Sequence, residues 1–274
     1  MKTTSILKQN LMKLKQASTI VGLLASSALA LSVAPAQAFN FNSGADLGGC
    51  AAVPLENLGN NTASASGLSS CTTDDGITLT AGATNPVSGG AKLTKKEVNG
   101  VKGVGVYNDS SKANLGSQQE TDFGETLTLS VEKPTIFESL DLSFLYKRGE
   151  FGDFLNEVAQ VTAGGFTGTL KVLSATQAQW NWNGIEQLVT ALSPSNKSGG
   201  GLYSILNPFG NAAVSSIVLT SPQEAGTSYR YSDFALAGAK TASASVPEPT
   251  TLAGLGLVGG LLVASRRRKR SQAS

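Results

Sequence analysis

Residues 125–132 read E-T-L-T-L-S-V-E, an unbroken alternation of polar and apolar side chains. Successive side chains of a β-strand point to opposite faces, so Leu127, Leu129 and Val131 share one face. Thr126, Thr128 and Ser130 share the other face. The alternation predicts a strand with its apolar face on a core and its polar face toward solvent. We expect Lys133-Pro134 to end this strand, because proline cannot donate to a sheet.

Similar short segments occur on both sides of this stretch, separated by turns rich in Gly, Pro, Asn and Asp. The predicted strands lie near 77–80, 101–107, 139–146, 157–162, 166–173, 179–183, 216–220 and 229–236. Many short strands with few helical stretches favour an all-β fold. We predict an antiparallel β-sandwich or jelly-roll-like ectodomain over residues 76–238.

One segment departs from the period of two. Apolar side chains at i, i+3, i+4 and i+7 follow the second tryptophan, namely Ile185, Leu188, Val189 and Leu192. This spacing predicts a short helix, which Pro194 would end. Residues 239–245 are small and polar and predict a linker.

Residues 1–38 have the order of a secretory signal peptide. Four lysines come first, an apolar run follows from Ile20 to about Val33, and Ala36-Gln37-Ala38 forms an A-x-A cleavage site. We therefore expect the mature chain to begin at Phe39. The alternative is an N-terminal membrane helix that is not cleaved. The cleavage site and the serines within the apolar run argue against it.

The charge of the exported part differs from that of the whole chain, which is +2. Between residues 39 and 245 there are 12 basic and 18 acidic residues, a net charge of −6. A mildly acidic domain is a poor ligand for phosphate backbones, so we expect no nucleic-acid partner.

Residues 39–75, rich in Gly, Ala, Ser and Asn, contain both cysteines, Cys50 and Cys71. In an exported chain a disulfide is the expected state. It would close a loop over the intervening residues and stabilise the fold by roughly 3 kcal/mol. We expect it to tie a weakly structured arm to itself rather than to the core. The alternative, a catalytic cysteine, lacks a base to activate it.

The chain has no histidine. This excludes Ser-His-Asp and Cys-His catalysis and histidine-based zinc sites. We expect no enzyme activity and no cofactor. The alternative that stays open is a glycan hydrolase built on two carboxylates, whose spacing a sequence does not give.

Acidic residues cluster in two of the predicted turns. Asp122 lies just before the strand at 125–132 and Glu125 opens it, while Asp153 and Glu157 follow the strand at 139–146. Such clusters are typical of solvated turns, but Ca²⁺ also binds oxygen ligands on loops. If calcium binds, Asp153 and Glu157 are the candidate ligands.

Trp180 and Trp182 are two residues apart on a predicted strand and therefore share a face. One interpretation places both in the core, as is usual for tryptophan. The other exposes them as a platform on which sugar rings stack, which would make the domain a carbohydrate-binding module.

The C-terminal residues fall into three parts in a fixed order. Pro247-Glu248-Pro249 is a stiff, extended peptide, because proline fixes φ and keeps its predecessor extended. Residues 250–265 carry no charge and predict a short transmembrane helix of about 24 Å. Five basic residues that resist translocation follow it: Arg266, Arg267, Arg268, Lys269 and Arg270. The alternative is an ordinary tail anchor with a proline-rich approach.

Residues 246–270 resemble the PEP-CTERM sorting signal of bacterial surface and extracellular proteins. The resemblance implies recognition of Pro247, Glu248 and Pro249 by exosortase, a membrane-embedded cysteine protease. It implies a membrane-anchored precursor and then a protein at the cell surface or outside the cell. The strand segments also look like exported β-sandwich domains found ahead of this signal. We expect a structural or interaction module, with exopolysaccharide as its partner class.

Overall fold

The computed structural model describes residues 36–55, 67–84, 90–108, 119–151, 155–222 and 232–242. These residues form fourteen strands and a short 3₁₀ helix, Gly48–Ala52. The strands are β1 (Ala38–Asn40), β2 (Ser70–Thr72), β3 (Thr78–Ala83), β4 (Lys92–Val98), β5 (Val101–Tyr107), β6 (Glu125–Thr135), β7 (Phe137–Ser143), β8 (Val158–Ala163), β9 (Phe166–Val172), β10 (Gln177–Trp182), β11 (Ile185–Ser193), β12 (Leu202–Leu206), β13 (Val214–Thr220) and β14 (Ala235–Thr241).

The strands form one continuous antiparallel path in the order β2-β3-β6-β13-β8-β9-β10-β11-β12-β7-β14-β5-β4, and β1 pairs with β14. The prediction of an antiparallel all-β domain is confirmed. We expected two separate sheets, but β11 pairs with β10 on one side and with β12 on the other. The strands therefore form a single, nearly closed, barrel-like sheet.

The two ends of the path approach each other through the segment ahead of β2. The amide of Leu93 on β4 donates to the carbonyl of Leu68 at 2.7 Å, and the amide of Ala81 on β3 donates to Ser69 at 2.9 Å. The amide of Lys95 donates to Pro54 at 2.8 Å. These bonds satisfy groups that a free edge strand would leave unpaired.

Strand β6 contains the alternating stretch and lies between β3 and β13. Leu127, Leu129 and Val131 are buried as predicted. Leu129 pairs with Leu79 of β3 and with Ile217 of β13, which places three apolar side chains in a row across the sheet. Pro134 does not end the strand. It lies where the pairing with β13 shifts register, so its missing N–H interrupts no regular ladder.

The predicted helix over residues 185–192 is wrong, because these residues form β11. Asn183 and Gly184 both have positive φ, 42° and 81°, and connect β10 to β11 as a two-residue turn. Such turns match the twist of a hairpin, and Asn-Gly is their preferred sequence.

Two further predictions about the ends of the domain need correction. Strand β14 runs to Thr241 and therefore includes the first residues of the predicted linker. Cys50 and Cys71 form the predicted disulfide, with a Cα–Cα distance of 5.0 Å. Both cysteines lie in the main core together with Phe39 and Phe41, so the bridge does not tie a separate arm to itself.

Candidate functional site

The tryptophans do not form a sugar-stacking platform. Trp180 is fully buried and Trp182 is 4% exposed, and both rings contact Phe209 edge to face. The indole N–H of Trp180 donates to the carbonyl of Pro208 at 3.0 Å. Stacking on a sugar needs an open ring face, so the prediction of Trp180 and Trp182 as ligand-binding residues is wrong and their assignment to the core is correct.

Glu157 is buried and does not face solvent from a loop. Its carboxylate accepts a hydrogen bond from the backbone amide of Tyr146, and its own amide donates to the Tyr146 carbonyl at 3.0 Å. Asp153, the other candidate calcium ligand, lies outside the described residues. Within the described ranges, no group of three or more His, Cys, Asp or Glu residues could hold a metal ion. Calcium binding stays a prediction.

A buried ion pair lies inside the domain, between two residues that no sequence motif singled out. The ammonium of Lys96, on β4, is 2.6 Å from Glu120 Oε2, and both residues are buried. The same ammonium lies 5.1 Å from the centre of the Phe144 ring, within the range of a cation–π contact. Burial lowers the pKa of Lys96, but the negative charges of Glu120 and Asp233 outweigh it, so the pKa is raised.

The segment that contains Glu120 runs through the interior beside β5. A side chain at Gly105 would come within 2.5 Å of the Gln119 carbonyl oxygen, so glycine is needed for this close approach. The amide of Thr121 donates to Phe234 at 2.6 Å, and the hydroxyl of Ser221 donates to the Thr121 carbonyl at 2.7 Å. These bonds fix the acidic residues inside the domain.

Asp122 and Glu125 belong to this interior and not to a solvated turn. Both are 2% exposed, and the Asp122 amide donates to Glu125 Oε2 at 3.0 Å. Burial, with the negative charges of Asp233 and Glu125, raises the pKa of Asp122 well above its ordinary value. No described residue bonds to Asp122 Oδ1. The acidic residues of this cluster are buried, so a large ligand cannot reach their carboxylates.

A shallow groove of about 190 Å³ opens on the surface of the domain. It lies on the outer face of β1, β14 and β7, and its polar lining includes Asp46, Asp141 and Lys240. Asp141 Oδ1 accepts a hydrogen bond from the Ser204 hydroxyl at 2.6 Å. Partial burial raises the pKa of Asp141, and the bond from Ser204 opposes this shift. Carboxylates held in this way can accept hydrogen bonds from hydroxyl groups of a ligand.

The predicted sorting residues Pro247, Glu248 and Pro249, the apolar span 250–265 and the basic residues 266–270 lie outside the described residues. In the part of the chain that the structure describes, we found no helix with the length and apolar character of a membrane span.

Comparison with known proteins gives one match. Residues 245–269 match the family model described as the PEP-CTERM protein-sorting motif, which confirms the resemblance seen in the sequence. The motif implies an exported protein that is sorted to the cell surface by exosortase. No curated protein and no solved structure matches the chain.

Proposed function

We propose that this chain is an exported surface or extracellular-matrix protein that exosortase releases from a membrane-anchored precursor. The observation that carries the proposal is the sorting motif at residues 245–269. In this scheme the leader directs export, and the span 250–265 with its basic cluster holds the precursor in the membrane. A buried disulfide in the domain supports an oxidising destination.

The sorting step is tested in a bacterium that carries an exosortase, with and without its gene. We expect the protein to lose its tail and reach the surface in the parent strain and to keep its tail in the membrane of the deletion strain. In the parent strain, a variant with Pro247, Glu248 and Pro249 changed to alanine should keep its tail in the membrane. Loss of the tail both in the deletion strain and in the alanine variant would contradict exosortase processing.

For the domain itself we propose a structural or interaction role in exopolysaccharide, without catalysis. The absence of histidine, the mildly acidic charge and the disulfide support a stable extracellular module. If this is right, the secreted protein should sediment with isolated exopolysaccharide and leave its chain length unchanged. Shortening of the polymer by the purified protein would favour the carboxylate hydrolase instead.

A second candidate is a glycan-binding site in the groove beside β1. It is favoured by Asp141, whose carboxylate is fixed by Ser204 at the edge of the groove. A glycan array on the secreted protein tests it, followed by Asp141→Asn and by Glu186→Gln on β11 as a control outside the groove. Loss of sugar binding only in Asp141→Asn supports the site, and equal binding by all three proteins rules it out.

A further inference from the structure

We propose that the leader is removed between Ala36 and Gln37, so that the mature chain begins at Gln37 and not at Phe39. This inference rests on the proposed export, because it concerns the bond that a signal peptidase cuts. It assigns a processing site from the position of these residues in the folded domain.

The sequence offers two overlapping cleavage sites. Ala36-Gln37-Ala38 would direct the cut after Ala38, and Ala34-Pro35-Ala36 would direct it two residues earlier. Each has alanine at both positions that must be small. The sequence pattern therefore does not distinguish the sites.

Gln37 and Ala38 are part of the folded domain. The Thr241 amide donates to the Gln37 carbonyl at 2.7 Å, and the Gln37 amide donates to Thr241 Oγ1 at 3.0 Å. The amide of Ala38 donates to Asp75 Oδ2 at 2.8 Å, and Ala38 is paired with Lys240 of β14. A cut after Ala38 would remove all of these contacts, while a cut after Ala36 keeps them.

The burial of the new N-terminus favours the same bond. Phe39 is 2% exposed and lies in the main core, whereas Gln37 is half-buried and Ala36 is exposed. Cleavage leaves an ammonium group, and burying a charge without a partner is costly. A chain that begins at Gln37 places this charge at the rim of the sheet, where Thr241 Oγ1 accepts a hydrogen bond from the same nitrogen.

Accessibility of the bond acts in the same direction. The Ala38–Phe39 bond lies within β1, in the register Ala38↔Lys240 and Phe39↔Ala239. Once β1 has paired with β14, a peptidase that needs an extended, unpaired substrate cannot reach this bond. The Ala36–Gln37 bond lies ahead of the first residue of β1, and Ala36 is exposed.

The experiment uses the full chain, expressed in a secreting bacterium and recovered from the cell surface or medium. Digestion before Asp46 yields a short N-terminal peptide for mass spectrometry. We expect the peptide 37–45, either intact or lighter by one ammonia. The lighter form arises when the α-amino nitrogen of Gln37 attacks its side-chain amide carbon and the amide nitrogen leaves as ammonia. A peptide that begins at Phe39 would overturn the inference and leave the proposed export intact.

Two matched variants separate the sites. Ala34→Gln alters only the site that we propose, and Ala38→Gln alters only the other one. We expect Ala34→Gln to slow removal of the leader and Ala38→Gln to leave the N-terminus at Gln37. The opposite pattern would overturn the inference. A leader that is retained in the unaltered protein would overturn both the inference and the proposed export.

Discussion

At the residue scale, the segment that contains Glu120 brings charged side chains into the interior beside β4 and β5. Lys96 lies in the run K-L-T-K-K-E-V of β4, and its ammonium is paired with Glu120 inside the domain. Asp122 and Glu125 have the local sequence of a solvated turn, but both are 2% exposed. Their burial depends on a segment that passes beside Gly105, and no local pattern encodes that contact.

Removing the partner of Lys96 should strongly destabilise the domain. In Glu120→Gln the buried ammonium would lose its nearest negative charge, and such losses cost about 3–5 kcal/mol. Urea denaturation of the secreted protein measures the free energy of unfolding. Lys102→Gln is the control, because the ion pair of Lys102 with Glu97 is largely exposed. Equal unfolding midpoints for both variants would show that the Lys96–Glu120 pair does not contribute as described.

Asp122 should make the domain less stable as the pH rises. The pKa of Asp122 is raised in the folded protein by burial and by neighbouring carboxylates. The folded state therefore binds this proton more tightly than the unfolded state, so stability is greatest at acidic pH and falls as the pH rises through the raised pKa. Asparagine at position 122 cannot acquire this charge. The free energy of unfolding of Asp122→Asn should therefore exceed that of the unaltered protein by more than about 1 kcal/mol at pH 8.

The gain in the free energy of unfolding from Asp122→Asn should shrink toward pH 4, where Asp122 of the unaltered protein is also neutral. Unfolding curves at both pH values, with the exposed Glu186→Gln as the control, measure the difference. A gain that is constant with pH would mean that loss of this charge is not its cause.

At the element scale, the strands with strict alternation were predictable and the segments governed by a turn or by closure were not. Predicted segments at 101–107, 166–173 and 216–220 became β5, β9 and β13 with small changes at their ends. The helix prediction for residues 185–192 is wrong because the same apolar spacing fits both a helix face and a strand with exposed leucines. Leu188 and Leu192 are 60% and 67% exposed, and Val189 is buried.

The stronger signal at this hairpin is Asn183-Gly184, because Asn-Gly is the preferred sequence of a two-residue β-turn. Gly184 has φ 81°, a conformation that costs other residues roughly 1–2 kcal/mol. We therefore expect Gly184→Ala to lower the free energy of unfolding by about that amount. Thr190→Ala, at an exposed position of β11, is the control. A neutral Gly184→Ala would indicate that the turn adopts another conformation.

The disulfide should stabilise the domain more than a bridge within a loose arm would. It joins the 3₁₀ helix to β2 in the core, next to the segment that closes the sheet. We expect the double variant Cys50→Ala, Cys71→Ala to lose about 3 kcal/mol. Reductant should lower the thermal midpoint of the unaltered protein and leave that of the variant unchanged. If reductant shifts both midpoints equally, the bridge is not the cause.

At the scale of the whole molecule, the first and last strands meet. Strand β1 pairs with β14, and Gln37 is hydrogen-bonded to Thr241. The described domain therefore begins and ends at one place in the sheet, and both predicted processing segments connect to it there. The order of these segments was evident from the sequence, because charge, apolar length and proline positions are local features. The continuous sheet was not, since strand pairing joins residues that are far apart in the chain.

The central claim is that both terminal segments are removed from an exported, disulfide-linked domain. The intact mass of the protein from the surface of an exosortase-positive bacterium, taken without reduction, tests it most directly. The account predicts one chain that lacks the leader and the segment 250–274 and is two hydrogens lighter than its reduced form. Recovery of the whole 274-residue chain, with Arg266–Arg270 attached and both thiols free, would contradict it.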